Sequence, residues 1–193
     1  MGKKQLLRYV ETEGGTFILL PLELKKVWQG RGDPDDDGPN DCDRTEEFLC
    51  SVGALDIDSP KGKGQALVLG TAEVTAFRPL DDGGVFIQRI YGDDDADVIA
   101  TVDKALAETK GWKKHKVTFN PGSGKLALFD AAYAYNEAER DERLPVELPP
   151  GRYRVEEKEA KTKDVCVNLV RLRAQPEKRP KWKAADLLSR PNN

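Results

Sequence analysis

The sequence predicts an α+β fold: a mainly antiparallel sheet of hairpins, packed by one main helix and short helices. Two observations carry this reading. Short β-rich apolar runs recur between glycine-, proline- and aspartate-rich turns. One stretch alone, with Val98, Val102, Ala105 and Leu106, repeats at clear helical spacing. Hairpins with one good helix among them give segregated helix and antiparallel sheet rather than an alternating parallel order.

Taken in order, 6–10 and 16–20 read as two short strands around Glu13-Gly14-Gly15, a hairpin signal. Pro21 can open a short helix over 22–28, because proline is tolerated at the first helical position, and Gly30 and Gly32 end it. Residues 31–43 hold Pro34, Pro39, two glycines and six aspartates without periodicity, which reads as a loop. Strands follow over 65–70, 75–77 and 85–91, with Asp81-Asp82-Gly83-Gly84 as one of the turns. Asp93 to Asp95 offer N-caps to the main helix, which ends before Gly111. Residues 116–120 and 125–129 form a further expected hairpin around Pro121-Gly122-Ser123-Gly124. Residues 130–143 are helical or an ordered excursion. Two last strands are expected over 152–157 and 165–173, the latter with Val165, Val167 and Leu169 on one face. The expected core includes Leu19, Val68, Ile87, Val102, Leu106, Leu128, Val155 and Leu169. Residues 1–174 read as one domain and 175–193 as a basic tail with a short helical turn near 184–188.

The chain has 193 residues, room for one domain with an appendage. Charged residues make up 34%, against about 25% in ordinary domains, so the surface is highly polar. The net charge of −3 argues against a dedicated nucleic-acid binder or a polybasic membrane protein. Apolar runs such as Phe17-Ile18-Leu19-Leu20 fall far short of the roughly 18 residues a membrane span needs. Lys3 and Lys4 are followed by no apolar targeting segment, so a cytoplasmic location is expected. Three cysteines, Cys42, Cys50 and Cys166, with no C-x-x-C pair read as free thiols in a reducing compartment.

Charge is unevenly placed. Residues 33–58 carry ten acids against Arg44 alone, whereas 171–190 carry seven bases against Glu177 and Asp186. The loop Asp33-Pro34-Asp35-Asp36-Asp37-Gly38 matches the first half of an EF-hand calcium loop, D-x-D-x-D-G. Its second half fails: Arg44 stands where the bidentate glutamate belongs and Asn40 is polar at the eighth position. A calcium- or metal-dependent enzyme or binding protein built on 33–38 is therefore an alternative and not the main reading. Asp93, Asp94, Asp95 and Asp97 are explained by a helix N-terminus alone. Gly122-Ser123-Gly124-Lys125 looks like a phosphate loop, but Phe119 and Leu126 occupy positions that need glycine and a hydroxyl. There is no G-x-S-x-G elbow, and His115, the single histidine, lies among Lys113, Lys114 and Lys116, which reads as a solvated surface position. With one histidine a zinc site would need an unusual ligand set. The tail Lys178-Arg179-Pro180-Lys181-Trp182-Lys183 interleaves bases with an aromatic, so a nucleic-acid-binding module is a second alternative.

Three stretches together resemble a known family: Gly14-Gly15-Thr16-Phe17-Ile18-Leu19-Leu20-Pro21 with Trp28 and Gly30 following, Gly64-Gln65-Ala66-Leu67-Val68-Leu69-Gly70, and Leu148-Pro149-Pro150-Gly151-Arg152-Tyr153-Arg154-Val155. In this order and spacing they resemble the immunity protein 21 family of bacterial polymorphic toxin systems, over roughly 8–173. The resemblance implies a small non-enzymatic protein that protects its producer by binding a cognate toxin, with no catalytic residues, metal or cofactor to carry over. The charge agrees in kind, since carboxylates suit a target whose active site is basic, as in a nuclease that holds phosphates. The expected partner-binding residues are Asp33, Asp35, Asp36, Asp37, Asp41, Asp43, Glu46 and Glu47.

Overall fold

The computed structural model describes residues 7–32 and 40–176. Its strands are β1 (Tyr9–Glu11), β2 (Thr16–Pro21), β3 (Gly53–Ser59), β4 (Gly62–Thr71), β5 (Val74–Leu80) and β6 (Gly83–Tyr91). After the helix α1 (Asp95–Ala107) come β7 (Lys113–Phe119), β8 (Lys125–Asp130), β9 (Leu144–Glu147), β10 (Tyr153–Lys161) and β11 (Cys166–Ala174). Two 3-10 segments, Leu22–Leu24 and Asp43–Phe48, complete the regular structure. No helix among the described residues is long and apolar enough to cross a membrane.

The strands form two antiparallel sheets. A six-stranded sheet has the order β1-β5-β6-β11-β10-β7, and a five-stranded sheet the order β3-β4-β2-β8-β9. The expected antiparallel sheet and single main helix are present, but the architecture is a β-sandwich carrying one helix more than an α+β fold. Alternation along each strand explains the layers. Phe17, Leu19, Leu67, Leu69, Leu126 and Leu128 of the smaller sheet meet Phe86, Phe119, Val155, Val170 and Leu172 of the larger one. The intervening Ile18, Leu20, Val68 and Phe129 point to the far side of the smaller sheet, under Leu24, Trp28 and Ala138. On the far side of the larger sheet, Val85, Ile87, Val167 and Leu169 pack against Val98, Val102 and Ala105 of α1. Both sheets are thus covered on both faces, which is why β2 reads Phe-Ile-Leu-Leu without alternation.

The helix is specified as its sequence suggests. The Asp94 carboxylate caps it by accepting from the Ala96 N–H at 2.6 Å. Asp95 ties it to β1, accepting from the Leu7 amide and the Tyr9 hydroxyl, each at 3.3 Å. Burial, with the Asp95 carboxylate adding to it, pushes the Tyr9 phenol up to about 12. Of the expected core, Leu19, Val68, Ile87, Val102, Leu128, Val155 and Leu169 are buried, and Leu106 is half-buried at the helix rim.

Three local expectations are corrected. Residues 9–11 and 16–21 are no hairpin: β1 pairs with β5 while β2 pairs with β4 and β8 in the other sheet. The same holds at Pro121–Gly124, where β7 pairs with β10 and β8 with β2 and β9. Each turn carries the chain between sheets, and turn chemistry specifies the reversal without specifying the neighbour. Residues 22–28 form a 3-10 turn and an irregular segment, drawn inward by Trp28, whose Nε1–H donates to the Ala131 carbonyl at 3.3 Å. Residues 131–143 are an ordered excursion that covers the smaller sheet, with Tyr135 edge-on to Phe129. The strands β3 and β9 were not anticipated, nor was the 3-10 helix Asp43–Phe48. The expected helical turn near 184–188 lies outside the described residues.

Candidate functional site

The eight sequence-predicted residues divide into three groups. Asp33, Asp35, Asp36 and Asp37 lie outside the described residues. Asp41 and Asp43 are built into the local structure. Asp41 accepts from the Gln29 amide at 2.9 Å and pairs with Arg44 at 2.8 Å. Asp43 and Asn40 bond reciprocally, each side chain accepting from the other's backbone N–H, at 2.9 and 3.3 Å. Arg44 also donates to the Asp56 carbonyl at 2.6 Å, so the base at the closing position of the calcium-like loop fastens this segment to β3. Buried Thr45 anchors the 3-10 helix through its hydroxyl contacts with Thr16 and the Cys42 carbonyl, both 2.7 Å. Glu46 and Glu47 stand exposed in the same turn of chain. Among the described residues no three His, Cys, Asp or Glu side chains gather as a metal cage would require.

A second acidic feature adjoins the first. A cleft of about 380 Å³ is lined by Glu11, Glu13, Asp130, Asp141 and Glu142, with Tyr9 and Tyr133 beside them. Asp130 at its base is 6% exposed, and its oxygens accept from the Ala132 and Glu13 amides at 2.8 and 3.3 Å. The field shows on Tyr133, whose phenol is pushed up chiefly by the Glu13 carboxylate, with burial, Asp130 and Glu142 adding and Arg31 opposing. Cys42 joins the two regions: burial first, then Asp130 and Asp43, raise its thiol against the pull of Arg31. Sequence reasoning missed this cleft because it assembles residues from 11–13, 130 and 141–142, none of which is a charge run by itself.

At one end of the larger sheet lies a groove of about 650 Å³ with a polar floor. The Gln88 amide donates to the Gly70 carbonyl at 3.0 Å, linking the sheets. The Asn168 amide donates to Gln88 at 2.9 Å and to Glu157 at 3.1 Å. Glu157 in turn meets His115 Nε2 at 3.0 Å and Lys113 at 3.6 Å. The His115 side chain is only 9% exposed, so the expected solvated surface histidine is a packed, partnered one. It lies on the inward face of β7, two residues from Val117, which packs against the core between the sheets.

The remaining motifs resolve as structure. The phosphate-loop-like turn is occupied by a carboxylate of the chain itself: Glu23 accepts from the Ser123 amide at 3.0 Å and its hydroxyl at 2.8 Å. Desolvation opposes the charge on Glu23, but these hydrogen bonds outweigh it and hold the carboxyl below its usual range. Burial raises the thiols of Cys42 and Cys166, the reverse of what activates a nucleophile.

The described residues therefore form a helix-backed antiparallel sandwich whose distinctive groups are outward-facing charge and clefts between loops. The chain belongs to the immunity protein 21 family, whose model matches residues 8–165. Neither the curated proteins nor the solved structures contain a significant match.

Proposed function

We propose that this protein neutralises a cognate bacterial toxin by binding it in the cytoplasm of the producing cell, without catalysis, through an acidic surface. Family membership is the observation that carries the reading. The charge distribution supports its finer part. Asp43 and Asp130 of the cleft act on the same Cys42 thiol, Glu46 and Glu47 follow Asp43 in the same exposed 3-10 turn, and the aspartates of 33–37 lie in the same segment of sequence. A toxin that holds nucleic-acid phosphates presents cations, and an acidic inhibitor gains association rate and selectivity against such a face. The domain of 1–174 supplies the binding surface and 175–193 is an appended tail.

The test is co-expression of this chain with the toxin domain encoded beside its gene. Growth is expected to be rescued, and the combined variant Asp35→Asn, Asp36→Asn, Asp37→Asn, Glu46→Gln, Glu47→Gln should associate about tenfold more slowly at low salt with its melting curve unchanged. Equal association rates at low salt would remove the acidic segment from the mechanism.

A further inference from the structure

The large hydrophobic side chains exposed among the described residues are Leu49 at 45%, Ile90 at 57% and Tyr91 at 39%. Of these, Ile90 lines the groove itself, and the other two are tied to it through the backbone. The Leu49 carbonyl accepts from the Thr71 amide at 2.9 Å, Thr71 and Ile90 line the same groove, and Tyr91 is the next residue on β6. An isoleucine left 57% exposed in the wall of a groove, on an otherwise highly charged surface, points to an interaction site.

The backbone explains why Ile90 stands out. Between β11 and β6, Cys166 faces Tyr91 while Val167 faces Arg89, so Ile90 is the extra residue of a bulge. A bulge re-aims a side chain and ends regular pairing. It falls just past the row Thr75–Gln88–Asn168–Glu159, whose Gln88 makes the link to Gly70 of the smaller sheet.

Charge then selects the occupant. The groove is lined by Glu73, Glu157 and Glu159 and by Arg89, Lys113 and Lys158. Two of these bases are engaged elsewhere. The Arg89 guanidinium lies over the Tyr9 ring, and the Lys158 ammonium bonds Glu108 at 2.6 Å together with the Ala105 and Lys110 carbonyls. Lys113 is paired with Glu157, which His115 and Asn168 also hold. Glu73 and Glu159 are exposed and take part in no ion pair among the described residues. What is left is an apolar knob between unpaired carboxylates, over a floor already fixed by hydrogen bonds.

We infer that this groove is the anchoring point for the toxin, and that it takes a lysine- or arginine-bearing protrusion whose cation meets Glu73 and Glu159 and whose apolar stem or neighbour covers Ile90. The assignment rests on the toxin-binding reading above and places the energetic centre of that interface at the end of the sandwich. Long cationic side chains suit such a site because their methylene stems bury against apolar surface while the head group reaches carboxylates. Desolvated anchors of this kind dominate binding energy, while peripheral charge acts mainly on association.

The experiment uses the full chain and the purified toxin domain encoded beside its gene, with calorimetry for affinity and co-expression for protection. Ile90→Asp is expected to weaken binding about a hundredfold or more and to abolish protection, and Glu159→Lys about tenfold. Lys61→Gln, on the β3–β4 turn outside this groove, should keep its affinity within about twofold of wild type. Melting curves establish that each variant is folded, and Ile90→Ser replaces the aspartate variant if that one is not. Wild-type binding with folded Ile90 and Glu159 variants that bind and protect equally well would overturn the groove and leave the toxin-binding reading standing. A wild-type chain that neither binds nor protects would remove both.

Discussion

Glu23 shows how a single side chain decides between two readings of the same motif. Its carboxylate fills the Gly122–Gly124 turn by accepting from the Ser123 amide and hydroxyl, so the turn is closed by the protein's own anion. Because the folded state holds this carboxyl below its ordinary value of about 4.3, the unfolded chain binds the proton more readily. The contribution to stability is therefore present above that ordinary value and is lost as pH falls through the lower, folded one. Glu23→Gln should be less stable than wild type at pH 7, and the gap should narrow at pH 3. Urea midpoints at the two pH values check this, and a gap that stays constant would show that the ionised form of Glu23 contributes nothing. Gly30 is the complementary case, a residue chosen for what it lacks: at φ 61° its missing Cβ would lie 2.4 Å from the Ala132 carbonyl oxygen. There the irregular segment after the 3-10 turn crosses the excursion 131–143, and the Arg31 amide donates to that same carbonyl at 2.9 Å.

At the scale of elements, strands β4, β5, β6, β10 and β11 and helix α1 were legible because their local signals suffice. Asp94 caps, Val98, Val102 and Ala105 repeat, and Asp81-Asp82 closes a true two-residue hairpin between β5 and β6. Strand β3 was present in the alternation of buried Leu55 and Ile57 with exposed Asp56 and Asp58, but its acidic residues were absorbed into the charged run. Strand β9 is short and carries Pro145, which weakens any strand signal. The sheet-to-sheet turns at Gly14-Gly15 and Pro121–Gly124 were misassigned because pairing is decided by partners distant in sequence. A strand buried on both faces makes a specific demand on mutagenesis. Leu19 points to the core between the sheets and Leu20 to the layer under Trp28 and Leu24, and both are fully buried. Leu19→Ala and Leu20→Ala should each cost about 2–5 kcal/mol in denaturant unfolding. In a one-sided sheet only one of the pair would be costly, so a Leu20→Ala variant within experimental error of wild type would contradict the burial of β2 on both faces.

For the whole molecule, the candidate surface was only half visible in the sequence. The charge run 33–47 announces itself, whereas the cleft around Asp130 and the groove around Ile90 exist only once distant strands and loops meet. The two oppositely charged segments also act on the same long-range field. Residues 177–193 carry five bases and two acids, so the rest of the chain has a formal charge of −6 against −3 for the whole. Removing them should leave the sandwich intact, since among the described residues the last strand is already fastened by bonds from the Ala174 amide to the Asp82 carbonyl at 2.7 Å and from Gln175 to Arg152 at 2.8 Å. The unfolding midpoint of a chain ended after Pro176 should therefore match that of the full protein. Its encounter with a cationic partner should change in a defined direction. A more negative protein attracts a basic face more strongly over the Debye length, about 10 Å at 0.1 M salt, so association should be faster at low ionic strength and fall more steeply as salt is added. Stopped-flow association with the toxin domain over a salt series reads both slopes. Slower association of the shortened chain at low salt, with its midpoint unchanged, would place the basic tail inside the interface and not outside it.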